Sequence, residues 1–388
     1  MIRCVPLVLA LLCPSFVAAP RAAGDELLVP VEPVRVFRAS DLLPAELLRG
    51  PNYEIDEEVP LRGYWYDFRL KTKWGDLPAR GMGMLELRIR EMHAVERARR
   101  LSRDPQFVEG VLGNLTAAPR GALIILKEPV STLKRAPKGL EHSVSPFINK
   151  VDRRAGSNTR RRFAAEIDCD PETTNPVLEG LLDQMARRKN IGTMVGKAGL
   201  GLALPGLGLL PTTAEFKDAV ANKLPHEINQ ALDRELADLG VDDEVRHAFL
   251  HGEQYTTTRR LYYVKRLRSL ENVENRAALV SAASQARTES DGMAILREMQ
   301  MLYAAHAQQP FRRVESIGLP LGIRADGTHV LICPVDHLWD SAEAAQVIAT
   351  YRQRHPTAPT VLHAAGHVEP EAAARLSQAG IAVLASQP

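Results

Sequence analysis

Several patterns that would identify an activity are missing from this sequence of 388 residues. The chain has neither the His-Glu-x-x-His pair of zinc proteases nor the Gly-x-Ser-x-Gly turn that carries the nucleophile of α/β-hydrolases. An excess of one charge is also missing, because 49 basic residues face 47 acidic residues for a net charge of +2. These absences remove the common hydrolase signatures and argue against a dedicated nucleic-acid-binding protein.

Cysteine is scarce, with four residues in the whole chain. Cys4 and Cys13 lie in a predicted signal peptide, so Cys169 and Cys333 are the thiols expected in the mature protein. Two cysteines do not form a disulfide framework in a chain of this length. They could form a single bridge in an oxidising compartment or remain two separate thiols, and the sequence leaves both possibilities open.

The first 24 residues have the pattern of a secretory signal peptide. Arg3 provides a positive start, the apolar run Val5–Val17 is too short to cross a bilayer, and small residues occupy positions 22–24. The sequence therefore predicts cleavage near Gly24 and export to a bacterial periplasm or cell envelope. The alternative is an N-terminal anchor that is not cleaved.

A glycine-rich apolar segment, residues 191–211, stands out in the middle of the chain, with Lys197 as its single charged residue. Its length approaches that of a membrane-spanning helix, but prolines interrupt it and each glycine costs roughly 1 kcal/mol of helix stability relative to alanine. One interpretation is a buried glycine-rich hairpin or loop. The other is a segment that meets a membrane or a partner through Lys197, Leu202, Leu204 and Leu207.

The glycines of this segment do not form a phosphate-binding loop. The pair Gly196-Lys197 is followed by Ala198, where such a loop requires serine or threonine. Leu204 occupies the position of the third glycine in a dinucleotide-binding fingerprint. The sequence thus predicts no nucleotide and no other cofactor.

Basic residues dominate the chain between positions 127 and 162, with prolines and glycines among them. We interpret residues 151–166 as a basic linker. Outside the cytoplasm, such a linker most readily meets anionic lipid headgroups or another envelope protein. An ordinary solvated linker is the alternative, and no nucleic acid is expected because aromatic residues do not alternate with the charges.

Hydrophobic periodicity predicts an α+β protein that is predominantly helical. A strand is expected over Tyr64–Leu70, an amphipathic helix over Met84–Leu101, and a β-hairpin around Asp326 and Gly327. The predicted organisation is a mixed α/β region over residues 25–150, the linker, a helical domain over residues 167–310, and a small α/β domain over residues 311–388. Helices in the central part are expected at residues 224–239, 242–251, 256–270, 272–286 and 291–306.

A short motif precedes the glycine-rich segment: Asp170-Pro171-x-Thr173-Thr174-Asn175-Pro176-x-Leu178. Asn175 is placed to cap a helix that has Pro176 at its first position. The motif resembles a family of secreted bacterial proteins that has no assigned activity, although that family usually has tyrosine in place of Glu172. The resemblance implies a shared architecture through most of the mature chain and no particular chemistry.

The one constellation with catalytic potential lies near the C-terminus. Asp336 and His337 follow one predicted strand, and His363 and His367 follow another, where active sites gather in open α/β sheets. These residues could serve a hydrolase or a metal-dependent enzyme, or they could be turn and cap residues. Because no complete ligand set is evident, the sequence predicts no metal site and favours a non-catalytic structural or interaction protein over an enzyme.

Overall fold

The structure is a computed structural model that describes residues 34–101, 158–187 and 214–385. Of these residues 52% are helical and 22% lie in strands, which form sheets of six, five and two strands. The prediction of a predominantly helical fold is therefore wrong, and the protein is a mixed α+β structure. Several strands have only two or three residues, too few to show an alternating pattern in the sequence.

An antiparallel sheet forms the N-terminal part and follows the order β1-β4-β5-β3-β2, with β6 paired to β5. Its longest strand confirms the predicted alternation, because Tyr66, Phe68 and Leu70 are buried. Two short helices, α1 (Ala39–Leu42) and α2 (Ala45–Leu48), connect β1 to β2. The strands are β1 (Arg35–Arg38), β2 (Arg49–Gly50), β3 (Tyr53–Ile55), β4 (Glu58–Arg62), β5 (Trp65–Thr72) and β6 (Gly75–Arg80).

The long helix α3 (Met82–Leu101) confirms the helix predicted over Met84–Leu101, and it packs on this sheet. Its expected apolar side is buried, including Ile89 and Met92. Arg88 and Glu91 are also buried, although an amphipathic helix is expected to carry its charged residues on the exposed side. The helix is therefore enclosed over more of its circumference than its amphipathic pattern indicates.

The central part is helical, and its helices share one hydrophobic core with the N-terminal sheet. The segment predicted as a basic linker instead contains helix α4, in which Arg160 and Arg161 are buried. Both guanidinium groups find acceptors in the core, so the basic pattern of this stretch does not indicate a solvated linker over residues 158–166. The helices are α4 (Asn158–Glu166), α5 (Pro176–Arg187), α6 (Ala214–Asn222), α7 (Pro225–Asp238), α8 (Asp243–His251), α9 (Thr257–Arg268), α10 (Ala277–Ala283) and α11 (Glu289–Gln308).

The C-terminal part is a five-stranded sheet in the order β13-β11-β9-β8-β7. The predicted hairpin is confirmed, since β8 and β9 pair antiparallel and Gly327 adopts the positive φ of 83° that the turn requires. β9, β11 and β13 are parallel, and the helices α12 and α13 lie between them in the chain. The elements are β7 (Phe311–Ser316), β8 (Pro320–Arg324), β9 (His329–Cys333), β10 (His337–Leu338), α12 (Ala342–Arg354), β11 (Thr360–Ala364), β12 (His367–Val368), α13 (Pro370–Gln378) and β13 (Ile381–Ala385).

The signal-peptide prediction and the glycine-rich segment 191–211, including Lys197, Leu202, Leu204 and Leu207, lie outside the described residues. Within residues 34–101, 158–187 and 214–385, no helix is long and apolar enough to cross a membrane. Cys169 and Cys333 are free thiols, which decides between the two possibilities that the sequence left open.

Candidate functional site

Asp336 joins three parts of the molecule through its carboxylate. One oxygen accepts the Arg297 guanidinium of α11 at 2.9 Å. The Met82 amide at the start of α3 lies 3.1 Å from each oxygen, and the Tyr66 amide of β5 lies 3.2 Å from the other. Burial raises the pKa of Asp336, and the Arg297 charge and the two amide hydrogen bonds oppose that effect. The carboxylate thus connects the C-terminal part to the first sheet.

His337 makes a second connection in the same place. Its Nδ1 lies 2.7 Å from the Tyr66 hydroxyl, and its Nε2 lies 2.8 Å from Glu369, which also pairs with Arg35 of β1 at 2.6 Å. Burial lowers the pKa of His337, while the Glu369 carboxylate acts in the opposite direction. Both ring nitrogens therefore have partners that belong to different elements.

The other two predicted residues have different positions. His367 begins β12, its amide donates to the Asp336 carbonyl at 2.9 Å, and its ring centroid lies 5.0 Å from that of His337. His363 lies within β11 with Ile332 and Leu384 as its strand neighbours. The structure thus brings Asp336, His337 and His367 together and leaves His363 in the body of the five-stranded sheet.

The contact between β10 and β12 leaves no space for a side chain. A Cβ atom added at Gly366 would lie 2.0 Å from the Asp336 carbonyl oxygen, far inside van der Waals contact.

In the part of the chain that the structure describes, no group of three or more His, Cys, Asp or Glu side chains could hold a metal ion. Two of the predicted residues, Asp336 and His337, belong to a tightly packed polar cluster between the sheets. We call this cluster the inter-sheet junction, and it comprises Tyr66, Arg297, Asp336, His337 and Glu369.

A second polar cluster surrounds the motif that precedes the glycine-rich segment. The buried Asp170 carboxylate accepts the hydroxyl groups of Thr256 and Thr258 at 2.5 and 2.9 Å. Glu172 accepts the Thr257 amide at 2.6 Å. These bonds attach the motif to the first turn of α9, whose free amides suit carboxylate acceptors.

The second half of the motif extends the cluster to α3 and α11. Asn175 caps α5 as predicted, since its side-chain oxygen lies 3.0 Å from the Val177 amide. Its amide group donates to Glu91 at 3.1 Å, and the Thr173 hydroxyl and Arg88 also donate to that carboxylate. Glu91 is therefore buried with three hydrogen-bond donors around it.

Glu289 is the carboxylate that the motif contacts on α11, as Glu91 is on α3. It accepts Arg259 at 2.7 Å, Thr174 at 2.7 Å and Arg88 at 3.2 Å. Burial raises the pKa of Glu289, but the two guanidinium groups and the Thr174 hydroxyl outweigh burial and bring that pKa to about 2. The motif is thus a connector of four helices through buried, paired charges.

A cavity of about 60 Å³ lies beside this cluster. Its walls come from α3, α4, α6, α9 and the turn that contains Cys169. Burial raises the pKa of the Cys169 thiol well above its usual value, so this thiol is not an activated nucleophile. The cavity residues are Leu87, Arg90, Glu91, Ala165, Asp168, Cys169, Asp170, Phe216, Val220 and Thr258.

Comparisons with protein-family models, with curated proteins and with solved structures gave no match.

The sequence did not identify most of the hydrogen-bond partners in the inter-sheet junction or in the polar cluster around the motif. Arg88, Glu91 and Glu289 have the spacing of ordinary helix-surface charges, and nothing in a single sequence distinguishes them from solvated residues. The Thr-Thr-Asn run was the available signal, because three consecutive short polar side chains can satisfy buried carboxylates as well as cap a helix.

Proposed function

We propose that this chain is an exported, non-catalytic interaction protein of the cell envelope. The observation that carries the proposal is the inter-sheet junction. The residues with catalytic potential, Asp336 and His337, have their polar atoms engaged in contacts between the two sheets.

The proposal of export rests on the N-terminal sequence pattern. N-terminal sequencing of protein recovered from the periplasm tests this proposal, because an intact Met1 would contradict cleavage near Gly24.

A catalytic acid or base must reach the proton that it transfers. The Asp336 side chain is 0% exposed and already accepts a guanidinium and two amides. The His337 side chain is 4% exposed, with both ring nitrogens in hydrogen bonds. These contacts support a structural role for both residues better than the alternative of a periplasmic hydrolase or metal-dependent enzyme.

Stability measurements separate the two roles without knowledge of a substrate. Removing one partner of a buried ion pair costs about 3–5 kcal/mol, whereas replacing a strained catalytic group is often neutral or stabilising. We expect Asp336→Asn to lower the free energy of unfolding by about 3 kcal/mol and His337→Gln by about 1–3 kcal/mol. Urea denaturation of the full chain measures both.

His363→Gln is the matched control, because His363 belongs to the same predicted set but lies outside the junction. We expect its effect to stay below about 1 kcal/mol, as for a partly exposed site without a special contact. An increase in stability for Asp336→Asn or His337→Gln would contradict the structural role and support the enzyme alternative.

We propose the binding partner of this protein from the sequence. The glycine-rich segment, through Leu202, Leu204, Leu207 and Lys197, would contact either an anionic membrane surface or another envelope protein. The described part of the chain adds a second proposed contact point, the cavity beside the motif.

A further inference from the structure

We infer that the cavity beside Cys169 is a binding site for a short apolar group that ends in a carboxylate. The inference rests on the proposed binding role and adds a ligand class to it. Three properties of the cavity support it: its size, its apolar walls, and the Arg90 guanidinium, which forms no hydrogen bond or ion pair with the described residues.

The size and walls of the cavity set the apolar part of the ligand. Leu87 of α3, Ala165 of α4, and Phe216 and Val220 of α6 face the space. Its volume of about 60 Å³ is less than half of the roughly 150 Å³ that holds benzene in an engineered protein cavity. A chain of about two to four carbon atoms is therefore the largest group that fits.

The acidic residues of the cavity have little capacity left for a ligand. Glu91 accepts Thr173, Asn175 and Arg88. A ligand that donates hydrogen bonds would compete with these contacts for occupied oxygens.

The other two acids are engaged in the same way. Asp170 accepts Thr256, Thr258 and the Glu172 amide. Asp168 lies 3.9 Å from the Arg97 guanidinium. The cavity therefore offers few free acceptors to a cationic ligand.

Arg90 is the exception among the charged groups of the cavity. None of the residues that the structure describes forms a hydrogen bond or ion pair with its guanidinium. Burial raises the pKa of Glu86, four residues earlier on α3, to about 7, and the Arg297 and Arg90 charges oppose that effect.

The Arg90 guanidinium carries five N–H donors in a planar fork that matches a carboxylate. A ligand carboxylate would satisfy Arg90, while Arg88 and Arg97 offset the charges of Glu91 and Asp168.

Calorimetric titration of the full chain with acetate, propionate and butyrate tests the ligand class. We expect saturable binding that tightens with chain length, and no binding of butyramide, which has the same shape without the charge. N-acetylvaline tests whether the carboxylate of a peptide C-terminus is accepted as well as a free acid. Absence of saturable binding for all the carboxylates overturns the inference.

Substitutions at Arg90 test the location of the site. Arg90→Gln should weaken carboxylate binding roughly ten- to hundredfold, the usual effect of losing a charge-assisted hydrogen bond. Arg90→Lys should have an intermediate effect, because lysine keeps the charge but loses the fork. Arg312→Gln is the control, since Arg312 is exposed and lies outside the cavity.

Filling the cavity gives an independent test. Val220→Met should weaken binding of butyrate more than that of acetate, while Val220→Trp should abolish both if the variant folds. Unchanged binding in Arg90→Gln or in Val220→Met would place the ligand elsewhere and overturn the inference. Because these titrations do not involve Asp336 or His337, their failure is distinguishable from failure of the proposed non-catalytic role.

Discussion

At the scale of single residues, two carboxyl groups of α11 respond to burial in opposite ways. Arg259 and Arg88 lie beside Glu289 and hold its pKa at about 2, below the ordinary 4.5, despite its burial. In the described part of the chain no guanidinium pairs with Glu298, and burial raises the pKa of Glu298 to about 8. The difference arises because a nearby guanidinium outweighs the cost of removing a carboxylate from water.

These shifts predict how stability depends on pH. Glu289 has a lowered pKa in the folded state, so its contribution, on the order of 3 kcal/mol, is present above pH 4.5 and is lost as the pH falls toward 2. Glu298 has a raised pKa, so the folded state binds the proton more tightly. Its contribution is present below pH 4.5 and is lost as the pH rises through 8.

We therefore expect the free energy of unfolding to rise between about pH 2 and 5 and to fall between about pH 5 and 8. Urea denaturation at a series of pH values measures this profile. Glu298→Gln should flatten the fall at higher pH, whereas Glu343→Gln, at an exposed position of α12, should leave the profile unchanged. A fall of the same slope in Glu298→Gln would assign the alkaline loss to another group.

At the scale of elements, the short sheet of β10 and β12 depends on Gly366. An added methyl group would meet the rigid Asp336 backbone, so Gly366→Ala must separate the two strands. We expect a loss of about 1–3 kcal/mol, typical of overpacking, and a lower melting temperature in calorimetry.

Gly252→Ala is the matched control for this prediction. The atoms nearest to an added Cβ at Gly252 belong to the Gln254 side-chain amide, which can rotate away. Its effect should stay within about 0.5 kcal/mol. Equal losses for the two variants would show that the close approach at Gly366 has no special cost.

The elements also show what the sequence could predict. β5, α3 and the β8–β9 hairpin were predicted because their apolar spacing or turn chemistry is local. The strands β2 and β3 were missed because a pair of such short strands is stabilised by neighbours, not by its own pattern. Helix α4 was assigned to a linker because burial of Arg160 and Arg161 depends on acceptors that lie elsewhere in the chain, including the Pro171 and Val220 carbonyls.

The sequence also predicted only part of the candidate site. The sequence singled out Asp336, His337, His363 and His367. All but His363 come together, because residues that follow neighbouring strands meet at one sheet edge, whereas His363 lies within β11. The sequence could not identify Tyr66, Arg297 or Glu369 as their partners, since those residues are distant in sequence. Those partners occupy the polar atoms of Asp336 and His337, which the sequence alone does not show.

At the scale of the whole molecule, the proposed membrane contact can be tested with the triple variant Leu202→Ser, Leu204→Ser and Leu207→Ser. If the segment 191–211 meets a bilayer, the variant should bind anionic liposomes less tightly in sedimentation assays and keep its melting temperature. Binding of the unmodified chain should fall with salt, because the Debye length shrinks from about 10 Å at 0.1 M to about 3 Å at 1 M.

The same triple variant also tests the alternative that segment 191–211 is buried in the core. If these leucines are buried core residues, each contributes roughly 2–3 kcal/mol, and the melting temperature should drop sharply. Unchanged liposome binding together with a large loss of stability would end the membrane interpretation.

The inter-sheet junction has a consequence for how the chain reaches its native state. Arg35 and Glu369 are 334 residues apart, and Tyr66 and His337 are 271 residues apart. Contacts of such long range slow folding, because the entropy of loop closure must be lost before they form. During synthesis, β1 and β5 emerge long before their partners exist. A chain that stops before residue 336 leaves the Tyr66 hydroxyl and Arg297 without their acceptors in the junction, so only a chain that extends through Glu369 can complete it.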